Sequence, residues 1–291
     1  MCRVLVIGAD SRIGAEMLRA CETMGSVVIG TSRRRAPGPG RVYLDLGSGH
    51  LRLDLTQAYD IAIMAAAIGG FEACETHPQA EQVNVVAPET IARQLIGDGR
   101  RVVFISTSSV FDGSRPYCAE EDVPSPVCAY SRQKAEAERR LRLIPGFDRL
   151  GAIVRLTKVL SPETPPLPAW FAALEKGSEI RPFSDLIFAP ISVQFAALGI
   201  ERIATSGSSG VFHLSGANDV THEQFARALM AGLRAPEELV NPTTSHASGV
   251  RILYQPRHGA LGMKRTQATL GIAPQEVAGV VRDLVFGRRA L

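Results

Sequence analysis

The strongest constraint in this sequence is a repeated alternation. Short, continuous apolar runs rich in β-branched residues are separated by stretches of helical periodicity. Residues 3–8, 26–31, 42–46, 61–66, 101–107 and 152–156 read as strands, and 13–24, 78–96 and 129–143 as helices. A strand that is apolar on both faces belongs in a sheet covered on both sides, and strand–helix–strand order makes that sheet parallel. Right-handed crossovers then wind it in two directions. The expectation is an α/β chain built on a doubly wound parallel sheet. On helix 13–24, Ile13, Met17, Leu18 and Cys21 share one face, which predicts the side turned to the sheet.

After residue 157 the pattern changes. A proline-rich run at 161–168 breaks the alternation, and helices at 169–176, 192–203, 222–232 and 275–285 follow, with one more strand at 211–214. This predicts a nucleotide-binding half from residues 1–157 with 189–215. A smaller α+β substrate-binding region, 158–188 with 216–291, would lie over its carboxyl edge.

Of 291 residues, 45% are hydrophobic and 21% charged, which excludes a disordered chain. Lys and Arg exceed Asp and Glu by only three, so no broad cationic field is offered to nucleic acid or anionic lipid. The longest apolar run, near 61–70, is too short for a membrane helix. The first residues lack the apolar core and cleavage site of a signal peptide, so a cytoplasmic protein is expected. Five cysteines and six histidines are scattered, with no C-x-x-C pair; a reducing compartment and no metal site are expected.

Three motifs carry chemistry. Val4-Leu5-Val6-Ile7-Gly8-Ala9-Asp10-Ser11-Arg12-Ile13-Gly14 is a strand, a tight turn and a helix start. Glycine allows positive φ and close approach of a phosphate, which free N–H groups at the helix end can hold. Ser11 stands where a middle glycine is usual, and such turns also arise for packing. At the end of the second strand, Gly30-Thr31-Ser32-Arg33-Arg34-Arg35 has no acid for a ribose diol. Ser32, Arg33 and Arg34 can instead hold a 2′-phosphate, which points to NADP with NAD as the other possibility; the alternative is a solvated basic loop. Third, Tyr130-Ser131-Arg132-Gln133-Lys134 places a phenol and an ammonium on one helix face. An ammonium nearby favours phenolate, so Tyr130 can serve as acid or base. The hydroxyls of 106–109 end a strand 23 residues upstream and can hydrogen-bond a reacting oxygen.

With these motifs, the chain resembles an extended short-chain dehydrogenase/reductase with a Rossmann sheet, most similar to the dTDP-4-dehydrorhamnose reductase type of sugar-nucleotide-binding NAD(P) proteins. Ile105-Ser106-Thr107-Ser108-Ser109-Val110-Phe111-Asp112-Gly113 matches that family's I-S-T-D-Y-V-F-D-G. The resemblance implies a catalytic triad of Thr107, Tyr130 and Lys134, with Tyr130 and Lys134 also touching the cofactor. It implies cofactor contacts at Gly8, Asp10, Ser11, Arg12, Ile13, Gly14, Ser32, Arg33 and Arg34, at the adenine pair Asp45 and Leu46, and at Ala65, Ala66 and Ala67. Asn84 matches the helix Asn before the catalytic strand. Residues 211–216 and 183–190 resemble the G-x-Y-H-L-S-G strand and the D-x-x-x-x-P stretch.

The sequence departs from that family on the substrate side. Ser108 and Ser109 replace an Asp-Tyr pair, and Lys158 stands where a Trp is usual. Ser108, Ser109, Lys158 and Trp170 are the candidate substrate residues. Lys158 is read equally as an anion contact or a solvated strand-end lysine, and Trp170 as core packing before stacking. No Asp-Glu pair follows Thr107, which disfavours a 4,6-dehydratase. The implied function is an NADP(H)-dependent oxidoreductase on a nucleotide-activated sugar, serving polysaccharide biosynthesis, as a possible homodimer. The alternatives are an NAD(P)-dependent nucleotide-sugar epimerase, a non-enzymatic NADP-binding regulator like the regulatory subunit of methionine adenosyltransferase, and an enzyme of a non-sugar carbonyl.

Overall fold

The computed structural model describes residues 2–48, 51 and 59–289. Seven strands form one parallel sheet: β1 (Arg3–Ile7), β2 (Val27–Ser32), β3 (Arg41–Tyr43), β4 (Ile61–Met64), β5 (Arg101–Thr107), β6 (Gly151–Leu156) and, much later, β10 (Gly210–Leu214). Their spatial order is β3-β2-β1-β4-β5-β6-β10. The sheet is thus wound outward in both directions from the gap between β1 and β4, a Rossmann fold whose carboxyl edge opens a crevice there.

Helices cover both faces. Along β1, Val4 and Val6 face one side and Leu5 and Ile7 the other, as strand alternation requires. On the first side lie α1 (Arg12–Thr23) and α7 (Val193–Thr205). From α1, Met17 and Cys21 are buried in that layer and Ile13 and Leu18 pack against it, as their spacing predicts. The second side carries α3 (Ala87–Gly97), α4 (Ala129–Arg142) and α5 (Phe147–Leu150). Much of the first layer comes late in the chain: Ala196, Ala197, Ile200 and Ile203 of α7, Phe212 and Leu214 of β10, and Met263, Leu270 and Ile272 belong to it.

The stretch expected as one helix over 78–96 is more broken. A separate helix, α2 (Phe71–Thr76), precedes it, and Gln82–Val86 makes a π-helical turn before α3. The wider turn is part of how Asn84 comes to be buried, 1% exposed.

Beyond β6 the remaining elements gather over the carboxyl edge. They are β7 (Lys158–Leu160), α6 (Leu167–Glu175), β8 (Ile187–Phe188), β9 (Pro190–Ser192), β11 (Val220–Thr221), α8 (His222–Leu233), α9 (Lys264–Leu270) and α10 (Val277–Arg289). β7 pairs with β9 and β8 with β11. Trp170 and Phe171 of α6, Phe225 and Leu229 of α8 and Val281 and Leu284 of α10 form a separate apolar cluster. No helix among the described residues is long and apolar enough to cross a membrane.

Candidate active site

The turn after β1 is shaped by two glycines. Gly8 has φ near 90°, and a Cβ there would lie 2.6 Å from Ala66 at the end of β4. A Cβ on Gly14 would lie 2.1 Å from the Gly8 carbonyl oxygen, so helix and strand approach too closely for any side chain. Ser11 takes the N-cap of α1, its hydroxyl accepting the Gly14 amide at 2.9 Å. The first-turn amides of Arg12 and Ile13 have no intrahelical acceptor and form an anion-accepting end.

A groove of about 200 Å³ lies above this turn, at the β1/β4 gap. Its walls include Gly8, Asp10, Ser11, Ser32, Arg33, Arg34, Asp45, Leu46, Ala66 and Ala67, all named from the sequence. Arg12, Ile13, Gly14 and Ala65 are not on its surface. Gly14 is buried under the turn, Ala65 and Ile13 pack on the core, and the Arg12 guanidinium reaches Thr164 at 3.3 Å. The sequence reading missed Leu44, Ile68, His77, Gln79 and Val83, which also line it.

The end of β2 holds an acid that its own sequence lacks. The Asp10 carboxylate accepts the Ser32 hydroxyl, and Arg35 stands 3.5 Å from it. The same Ser32 oxygen accepts the amides of Arg34 and Arg35 at 3.0 and 2.9 Å. Ser32 therefore shapes the loop, and the exposed guanidinium groups of Arg33 and Arg34 are what the loop offers to a ligand.

A second cavity, about 660 Å³, opens at the ends of β5 and β6. Thr107, Ser108, Ser109, Tyr130, Lys158 and Trp170 all line it, and Pro165, Pro166 and Leu167 close one side. The Thr107 hydroxyl accepts the Ser109 amide at 3.2 Å and lies 3.1 Å from the Ser109 hydroxyl, so this pair has a proton left to donate into the cavity. Trp170 is 7% exposed: it belongs to the apolar cluster and shows only an edge to the cavity. Leu186–Ala189, from the stretch 183–190 singled out by resemblance but given no role, line it too, with His222, Phe225 and Arg251–Pro256, which were not named as site residues from the sequence.

Lys134 lies beneath Tyr130, 3% exposed, its ammonium 3.8 Å from the centre of the Phe104 ring. Burial pulls its pKa down to about 7, against the opposing pull of Glu138. Burial also pushes the Tyr130 phenol up to about 12. The phenol is thus a proton-carrying acid here, and the phenolate-favouring effect expected of Lys134 is absent while the ammonium faces Phe104. The ring of Phe71 stands edge-on to Tyr130, with centres 5.9 Å apart, and touches Tyr254 at 5.3 Å. Asn84 ties these parts together: it bonds the Ile68 amide and carbonyl at 2.9 and 3.0 Å and Gln133 of α4 at 2.8 Å.

Under the site is a buried ion network. Glu138, 0% exposed, accepts from Arg155 at 3.0 and 2.8 Å, from Ser106 at 2.6 Å and from Arg142 at 2.9 Å. Arg155 also meets the Glu120 carbonyl and His213, and the Glu120 carboxylate bonds Thr266 at the start of α9. Burial alone would push the Glu138 carboxyl up, but the hydrogen bonds and charge of Arg155, with Ser106 and Arg142, hold it below the ordinary carboxylate value.

A groove at the sheet crossover, and a cavity lined by Thr107 of β5 and Tyr130 of α4, lie where an extended short-chain dehydrogenase/reductase places its site. Residues 2–286 match the family described as the RmlD substrate binding domain, and the chain belongs to that family. It is similar to methionine adenosyltransferase 2 subunit beta of Bos taurus, 28% identical over 93% of this chain and 83% of that protein. It is also similar to dTDP-4-dehydrorhamnose reductase of Streptomyces griseus, 28% identical over 94% of this chain and 89% of that protein. The solved dTDP-4-dehydrorhamnose reductase of Bacillus anthracis, in complex with NADP, shares its fold with a TM-score of 0.83, at 17% identity over 98% of this chain and 99% of that one.

Proposed function

We propose that this protein is an NADP(H)-dependent reductase of a nucleotide-activated keto-sugar. The observation that carries the reading is that Thr107, Ser109 and Tyr130 line one cavity opening beside the nucleotide groove, with Lys134 beneath. The groove fits a dinucleotide by its donor set: first-turn amides at the start of α1 for a pyrophosphate, and the exposed guanidinium groups of Arg33 and Arg34, without an ion pair among the described residues, for a 2′-phosphate. When bound, NADPH supplies the hydride.

The chain's own residues supply the rest. The Thr107–Ser109 hydroxyl pair donates a hydrogen bond to the carbonyl oxygen and fixes its position. Tyr130, carrying its proton, delivers it to the oxygen as charge develops there. Lys134 holds positive charge below the phenol, and Asn84 and Gln133 keep α4 in register with the groove. We place the boundary between nucleotide and substrate parts at 157/158 and again near 189 and 215; the separate apolar cluster of α6, α8 and α10 supports it.

The first relatives named above favour a second reading, a nucleotide-binding subunit of another enzyme. Turnover separates the two. Purified protein with NADPH and dTDP-4-keto-sugars should oxidise the cofactor, and Tyr130→Phe should stop it without weakening cofactor binding. Binding of NADPH with no oxidation by any keto-sugar nucleotide would overturn the reductase reading in favour of the subunit.

A further inference from the structure

Two cations line the substrate cavity. Lys158 and Arg251 both line it, and among the described residues neither has a carboxylate within ion-pair distance. Glu72 is the one carboxylate among the cavity's lining residues. Burial in the cleft lowers the Lys158 pKa, and the nearby Arg12 guanidinium lowers it further. His222, across from Lys158, is held neutral near pH 7: burial, then the Lys158 charge, pull it down to about 4. Its ring lies between Phe183 and Phe188, with centres at 5.9 and 4.8 Å. The Lys158 and Arg251 side chains are both solvent-exposed at the cavity mouth, so the cavity offers positive charge to an anionic ligand.

We propose that Lys158 binds a carboxylate of the substrate, on the ring carbon next to the reacting one, so that the preferred substrate is a nucleotide-linked uronic acid rather than a neutral hexose. The inference rests on the reductase reading and deepens it. Its geometry comes from strand register. Thr107 is paired with Leu156 across β5 and β6, and Lys158 lies two residues beyond Leu156, roughly 7 Å along the chain. Its main chain is fixed there by the Ala189 carbonyl at 3.1 Å and by pairing with Pro190. The reacting carbon must lie within hydrogen-bond reach of Thr107 and Tyr130. A lysine stem spans the remaining distance to a group one carbon away. The diphosphate of a sugar nucleotide lies across the width of the sugar ring from that carbon, and Arg251, on the strap 251–256, is the unpaired cation left for it.

The test is calorimetric titration of the protein saturated with NADP⁺, using UDP-glucuronate, UDP-glucose and UDP. UDP-glucuronate should bind about tenfold or more tighter than UDP-glucose, the effect of one charge-assisted hydrogen bond. Lys158→Gln should erase that difference while moving UDP-glucose affinity less than twofold, and Lys158→Arg should keep most of it. Equal affinities for the two sugars in the parent protein would overturn the proposal. So would a Lys158→Gln variant that weakens UDP, UDP-glucose and UDP-glucuronate by the same factor, because Lys158 would then hold the diphosphate. Absence of binding by all three would overturn this inference, whereas the reductase reading falls only if no dTDP-keto-sugar is turned over either.

Discussion

Glu138→Gln is the most revealing single perturbation of the framework. The substitution keeps the shape and one carbonyl acceptor but removes the charge that faces Arg155, which is itself 1% exposed. Arg155 would be left as a buried cation among neutral groups: the carbonyl oxygen of the new glutamine, the Glu120 carbonyl, His213 and the Phe111 ring 4.9 Å away. Breaking such a pair from one side costs about 3–5 kcal/mol, against a total stability of roughly 5–15 kcal/mol. With about 2 cal/mol/K of unfolding entropy per residue, a chain of this length should lose roughly 5–8 °C in Tm. The pH dependence has a definite sign. The folded carboxyl is held below its unfolded value of about 4.3, so its contribution is complete above that pH and is lost as pH falls through the folded pKa. The gap between parent and variant should be full at pH 7 and close below pH 4. Differential scanning calorimetry across that range is the assay. A loss under 1 °C at pH 7 would refute the reasoning, as would a gap that widens in acid. The double change Glu138→Leu with Arg155→Met should recover much of the loss, since it removes both charges.

Three further outcomes follow from the site. Arg33→Ala with Arg34→Ala should weaken NADP binding about 10–100-fold at low salt, and less in high salt because both groups are exposed, while NAD changes less than twofold; equal losses by calorimetry would refute the 2′-phosphate assignment. Lys134, near pKa 7 in the protein alone, should take up a proton when an anionic dinucleotide binds, seen between pH 7 and 8 as a binding heat that varies with buffer ionisation enthalpy; Lys134→Met should show none. Asn84→Ala strands the Ile68 amide and carbonyl, both bonded to it now, and should cost about 2–3 kcal/mol in thermal unfolding; a neutral result would mean that these groups find other partners.

The sheet was legible because its strands are buried on both faces. Its inner strands are short apolar runs that periodicity picks out, as are residues 211–214 far down the chain; the edge strand expected over 42–46 is instead Arg41–Tyr43, half-exposed, with Leu44 and Leu46 beyond its end. The groove was legible where chemistry sits next to a strand end, as at Gly8 and Ser32, while Asp45 and Ala66 came only through the family resemblance. Two kinds of feature were not. The π turn at Gln82–Val86 adds one residue to a helical pattern whose apolar spacing hardly changes, so 78–96 reads as a plain helix. The acid at the end of β2 comes from Asp10, 22 residues earlier, and contacts between distant residues leave no local trace. The strap 251–256 is silent for the same reason: Tyr254 matters through its ring against Phe71 and its bond to the Phe111 carbonyl at 3.1 Å.

The late completion of the sheet has a consequence for how the protein is made. A chain emerging from the ribosome exposes Val103, Val154 and their neighbours on one face of the sheet until α7 and β10 have followed, some 50 residues after β6 is synthesised. During that interval the growing chain presents a wide oily surface to other chains, the condition under which aggregation competes with folding. A shortened version that stops at 157 would make that interval permanent. One that retains the nucleotide groove and stays in solution must run through Leu214.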